Sequence, residues 1–137
     1  MGSPENYFYT KTHQWFDPSS GKVGLTAFAA EALGEISFVD VDALEGADLT
    51  QVKMDGDEPA SDPIDATVES SKAVGDIYSP VSGTVKEVNS DLMDEPEKLN
   101  EAPYETWLYV IEPSNWDAEK ANLHNAADYD AFCETQK

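Results

Sequence analysis

The chain has no arginine, one cysteine, two histidines and no long apolar run. Without arginine there is no guanidinium fork to clamp a phosphate or carboxylate through paired hydrogen bonds. The histidines, His13 and His124, do not fall in a zinc-type spacing, and phosphate-cradling glycine loops and nucleophile elbows are missing too. Little is left with which to catalyse, so the reading is of a non-enzymatic protein. A lone Cys133 excludes an internal disulfide and a cysteine-cluster metal site; it suits a reducing compartment and is expected to pack rather than react. No apolar stretch approaches the roughly 20 residues that span a bilayer, and the N-terminus lacks the basic and apolar regions of a signal peptide, so the chain is expected to be soluble. Met1-Gly2-Ser3 fits a short appended start in place of a removed targeting segment, which leaves the compartment open.

What is present is acid. Twenty-eight acidic residues face eight basic ones, all lysine, for a formal net charge of −20. Such a surface repels nucleic acid and anionic membranes, whose binding needs clustered cations. Basic protein partners are its complement, while plain solubility or a salty compartment accounts for it equally well. With 40% apolar and 10% aromatic residues the chain has enough to bury a core, and its 137 residues fit one domain, 1–137.

Short β-like runs punctuated by turn residues predict a mainly β sandwich or barrel. Gln14-Trp15-Phe16 and Lys22-Val23-Gly24-Leu25 flank Asp17-Pro18-Ser19-Ser20-Gly21 and read as a hairpin. Thr26 is placed to cap a helix over 27–33, with Gly34 ending it in a left-handed cap, and 36–41 reads as a strand. The stretch 46–64, rich in acids, prolines and glycine, reads as an exposed loop; its Asp55-Gly56-Asp57-Glu58 cluster lacks the ligand spacing of a calcium loop. Strands over 64–70 and 73–79 meet at Ser71-Lys72, a tight hairpin with one lysine at its tip, and Pro80 stops the second. The run 81–84 supplies a turn, Val85 and Val88 carry a further strand, and 107–111 is a strand stopped by Pro113. Asn125 caps a final helix whose Ala126, Tyr129 and Cys133 recur at helical spacing.

An exposed lysine is usually just solvated. Here its neighbours change that reading: Val68-Glu69-Ser70-Ser71-Lys72-Ala73, followed by Asp76-Ile77-Tyr78-Ser79-Pro80-Val81-Ser82-Gly83, closely resembles the lipoylation region of the H proteins of glycine cleavage systems. Biotin carriers of the same fold usually flank the lysine with methionines, and 2-oxoacid dehydrogenase lipoyl domains place an aspartate before it; Ser71 and Ala73 match neither. The resemblance extends to Tyr9-Thr10-Lys11-Thr12-His13-Gln14-Trp15, Glu31-Ala32-Leu33-Gly34, Phe38-Val39-Asp40, Asn100, Trp107-Leu108 and the 129–134 tail.

The resemblance implies a hybrid barrel-sandwich of two small antiparallel sheets with short peripheral helices and a C-terminal helix. It implies lipoate attached to Lys72 by a lipoyl ligase or transferase that reads positions matching Glu69, Gly46 and Gly83, the two glycines being turn residues first. It implies three further partners: a pyridoxal-phosphate glycine decarboxylase (P protein) that loads the aminomethyl group, a tetrahydrofolate aminomethyltransferase (T protein) that unloads it, and a dihydrolipoamide dehydrogenase (L protein) that reoxidises the dithiol. An organelle matrix in a eukaryote or the cytoplasm in a bacterium goes with that role.

A lysine side chain and an eight-carbon acyl chain together reach about 12–15 Å, enough for one arm to visit several active sites. In the family the loaded arm folds into a cleft, to which positions matching Asp76, Gln14 and Phe28 contribute. Gln14 stands where a glutamate is common, and Phe28 where a histidine or tyrosine sometimes stands. Neutral Gln14 loses charge attraction to an aminomethyl ammonium, which predicts a weaker lock, offset by the overall negative field. The 46–64 stretch is longer than usual for the family. The alternative to glycine cleavage is a lipoyl relay serving other lipoate-dependent complexes, and a third reading is an unmodified acidic interaction module.

Overall fold

The computed structural model describes residues 4–136, so Met1-Gly2-Ser3 lies outside the described residues. Eleven short strands are described: β1 Phe8–Tyr9, β2 Gln14–Asp17, β3 Lys22–Leu25, β4 Ile36–Asp40, β5 Asp48–Leu49, β6 Met54–Asp55, β7 Glu58–Pro59, β8 Thr67–Ser70, β9 Val74–Gly75, β10 Gly83–Val88 and β11 Tyr109–Pro113. Helices α1 Ala27–Leu33, α2 Lys98–Glu101, α3 Trp116–Glu119 and α4 Ala126–Thr135 lie between and after them. A six-stranded antiparallel sheet runs β1-β2-β3-β11-β10-β5, a three-stranded one β4-β8-β9, and β6-β7 form a small ribbon.

Alternation along these strands builds the core. Phe16, Val23, Leu25, Val85 and Ile111 from the large sheet meet Ile36, Val39 and Val68 from the small one. A second cluster of Tyr9, Trp15, Tyr129 and Cys133 seats α4, so Cys133 packs as expected. The predicted hairpin is present, Asp17 paired with Lys22 across a turn in which Gly21 takes φ +82°. Thr26 and Asn125 cap their helices as read, accepting from the amides of Ala29 and Asp128.

Four local expectations are corrected. Segment 46–64 is not a bare loop: β5 pairs with β10, β6 pairs with β7, and the Gln51 side chain donates to Pro80 O at 2.9 Å. Polar side chains that looked like solvated loop residues tie it down. The strand after Lys72 stops at Gly75 rather than at Pro80, because Ile77 and Tyr78 turn inward to bury their side chains. Gly83 is not in a turn but opens β10, paired on both sides with Pro113 and Leu49. A Cβ there would lie 2.1 Å from Glu112 O, so the approach of β11 alone requires glycine. Gly34 has φ +84° but ψ −157°, outside the left-handed helical cap region. Only glycine adopts that backbone readily.

Candidate functional site

Lys72 occupies the exposed tip between β8 and β9. The turn closes partly through a side chain. Ser70 N–H donates to Ala73 O at 2.8 Å, and Ser70 Oγ accepts from the amides of Ala73 at 3.2 Å and Lys72 at 3.4 Å. The same hydroxyl donates to Leu33 O at 2.6 Å, satisfying a carbonyl at the end of α1 that has no partner within the helix. One serine therefore fastens the hairpin tip to α1.

The end of α1 is also the seat of the lysine stem. A Cβ on Gly34 would stand 2.8 Å from Lys72 Cε and 3.4 Å from its Nζ, so the side chain lies against bare Gly34 backbone. Asn100 holds that backbone, its Nδ2 donating to Gly34 O at 2.7 Å and its Oδ1 accepting from Ile36 N at 2.8 Å. Gly75 rests on Leu33, where a Cβ would come within 3.2 Å of Cδ1. Lys72 is thus an accessible amine on a braced hairpin with room along its stem, which fits an acylated lysine.

The other residues singled out from the sequence divide between two regions. Glu69 is on β8, directly across from Phe38 and Val74 and three residues before Lys72. Gly46 and Gly83 are at the β5 side of the large sheet, Gly46 with φ +75° and open space where a Cβ would be. Asp76 is exposed just beyond β9. Gln14 is 1% exposed, and its amide is committed locally, Oε1 accepting from Thr12 and Thr10 and Nε2 donating to Thr12 O. Phe28 stacks on His13 at 4.6 Å between ring centroids. A surface cleft of about 580 Å³ that Lys11, Gln51, Lys53 and His124 help to line takes in none of these residues.

Sequence reading assigned no role to Ser70 or to the chain of groups behind α1. His13 Nδ1 lies 2.6 Å from Tyr129 Oη, which lies 2.7 Å from Thr26 Oγ1, the α1 cap. A consistent set of donors runs from Ala29 N–H to Thr26, from the Thr26 hydroxyl to Tyr129, and from the Tyr129 hydroxyl to His13, which requires His13 neutral with its proton on Nε2. Burial does keep it neutral, pushing its pKa down to about 4, and burial likewise raises that of Tyr129. His13 is the one described non-glycine residue with positive φ, +73°, at the last position of the loop between β1 and β2. Its ring contacts hold it there.

A pH dependence follows. Since the folded chain resists protonation of His13, stability is full above the ordinary pKa of 6.5 and falls as pH drops toward 4. By pH 5 the loss amounts to about 1–2 kcal/mol after allowing for solvent screening. Urea midpoints at pH 7 and pH 5 should separate for the wild type and draw together in His13→Gln. Equal separations in both would refute the assignment.

A family model, "Glycine cleavage H-protein", matches residues 7–136. The chain belongs to the glycine cleavage H-protein family. It is 41% identical over 135 residues to the glycine cleavage system H protein of Oceanobacillus iheyensis, covering 96% of this chain and 98% of that one. To the H protein of Bacillus velezensis it is 42% identical, covering 95% of each. The crystal structure of an H protein from Mycobacterium marinum superposes with a TM-score of 0.75 at 30% identity, covering 94% of this chain and 97% of that one. The fold is therefore the expected lipoyl-domain-like barrel-sandwich, and the role is that of lipoyl carrier in glycine cleavage. No described helix is long and apolar enough to cross a membrane.

Proposed function

We propose that the whole chain, 1–137, is one non-catalytic carrier domain and that Lys72 is its attachment lysine, loaded with lipoate by a lipoyl ligase or transferase. The supporting observation is the seat of Lys72: an exposed amine on a hairpin braced by Ser70, its stem against a glycine with no side chain in the way. On acylation by an acyl-adenylate, Nζ first sheds its ammonium proton, the amide N–C bond forms, the bond from carbon to AMP breaks, and a second proton leaves nitrogen. Bound lipoate supplies the disulfide that takes up the one-carbon unit and two electrons between the glycine decarboxylase, the aminomethyltransferase and dihydrolipoamide dehydrogenase.

The chain itself provides position. Gly34 and Phe28 lie six residues apart along α1, about 9 Å at helical rise, within the arm's reach of roughly 12–15 Å. Helix α1 therefore serves as the floor along which a loaded arm folds, with Phe28 at its far end, Gln14 beside its start through pairing with Leu25, and Asp76 near the hairpin. Gln14 would have to give up its bonds to Thr10 and Thr12 to hold the arm, which supports a weaker lock than a glutamate would give. Glu69 stands as a recognition residue; Gly46 and Gly83 are assigned that role second to their backbone duties. Acidity favours basic docking partners and disfavours nucleic acid and membranes. The compartment follows the partner enzymes, an organelle matrix or the bacterial cytoplasm.

Intact mass tests the reading. After incubation with lipoate, ATP and a lipoate ligase, the wild type should gain one lipoyl group and Lys72→Ala none. No gain in the wild type refutes the carrier assignment, and a gain in Lys72→Ala refutes the choice of lysine.

A further inference from the structure

The three-stranded sheet has an inner and an outer row beside Lys72. Val39, Val68 and Gly75 are aligned across its strands and face inward, Val39 and Val68 being buried. The next row, Phe38, Glu69 and Val74, faces outward. Phe38 is 46% exposed and Val74 64% exposed, and they are the large hydrophobic residues that stand out to solvent among the described residues. Isolated apolar side chains on a surface need no explanation. These two share one row with a carboxylate between them, two strand spacings or about 10 Å across, and the row ends next to Lys72.

Glu69 already stands as a recognition residue; we infer that Phe38 and Val74, one on either side of it, are the apolar contacts on which the enzyme that acylates Lys72 docks. This rests on Lys72 being the attachment site. Reach selects the occupant. Enzymes that use the finished arm meet its tip, about 12–15 Å from the backbone. The acylating enzyme must take up Lys72 Nζ itself, about 6 Å from its Cα, so its surface comes down on whatever flanks the hairpin. The row is also complete before any cofactor is attached.

Charge narrows the chemistry of the partner. Around the row stand Glu69, Asp40 and Asp76, with Lys72 as the neighbouring cation. Three carboxylates outnumber the one ammonium even before Lys72 is acylated, so the patch is acidic with two apolar ends. Its complement is a basic side chain flanked by apolar ones. A few well-placed contacts of this kind carry most of the energy of an interface.

The test compares wild type with Phe38→Ser/Val74→Ser, both positions being exposed, in steady-state acylation by lipoate ligase with lipoate and ATP. The double variant should lose at least about tenfold in kcat/KM, mostly through KM. Labelling of Lys72 by a small acetylating ester should be unchanged, showing that the lysine is still presented. The variant, driven to full lipoylation with excess ligase, should support glycine-dependent carbon dioxide exchange within twofold of wild type. Acylation within twofold of wild type overturns the proposal while leaving the carrier assignment intact. Normal acylation with impaired exchange also overturns it and gives the face to the decarboxylase. Failure of the wild type to accept lipoate would instead strike the carrier assignment, and this docking surface with it.

Discussion

Lys72→Arg should yield a folded chain that supports no glycine-dependent carbon dioxide exchange above background, however long it is incubated with ligase. The substitution keeps the positive charge and nearly the same length. Its guanidinium stays protonated at any accessible pH and offers no free amine to an activated acyl group. The hairpin itself should persist, because Ser70 and Ala73 close the turn and Leu33 anchors it, none of which involves the lysine head group. Urea unfolding should therefore differ from wild type by no more than about 0.5 kcal/mol. Stability and function would separate cleanly. Exchange that survives in Lys72→Arg would mean that another lysine carries the group, and mapping the lipoyl mass would show which.

The largest effect on stability is expected at Trp15→Ala. Trp15 is fully buried, stacks on Tyr7 with ring centroids 4.8 Å apart, and donates its Nε1–H to Pro103 O at 2.9 Å. Its ring lies over Gly24, where a Cβ would come within 2.6 Å of it. Truncation leaves a hole between β3 and the 103–104 segment together with an unpaired carbonyl. The cost is about 3–5 kcal/mol, a large fraction of the stability of an ordinary domain. Thermal midpoints should fall by roughly 10–20 °C. A fall of only a few degrees would show that the aromatic cluster repacks around the gap.

Local signals carried the reading of this fold wherever the chain decides its own structure. Asp17 to Gly21 forms its turn from its own side chains, and Thr26 and Asn125 cap helices that start on the next residue. Local signals mislead where distant partners decide. The run after Lys72 reads as a long strand because its apolar residues suit one, yet the core takes in Ile77 and Tyr78 after only two paired positions. The segment 46–64 has the composition of a loop, and its structure comes from the β6–β7 ribbon together with contacts to distant partners, among them Pro80, Ser82 and β10.

The candidate site divides in the same way. Lys72 and Glu69 were legible from their immediate neighbours. Ser70 and Gly34 lie in the resembling segments, but their roles depend on contacts across 37 and 38 positions of sequence and are not legible there. Asn100 was noticed through resemblance alone. Its duty, holding Gly34 in a backbone that suits no other residue, is visible only in three dimensions.

The contact between Lys72 and Gly34 bears on how the finished arm explores space. A tether that swings freely sweeps a sphere, whereas one rooted beside a wall loses the half of it that the wall occupies. With its stem against Gly34 at the end of α1, Lys72 roots the arm beside the protein body, so before the arm is loaded its tip explores only the outer hemisphere, at about twice the local concentration of a free tether. That gain requires no new contact with any partner. It comes from the wall itself, against which bare Gly34 lets the stem lie.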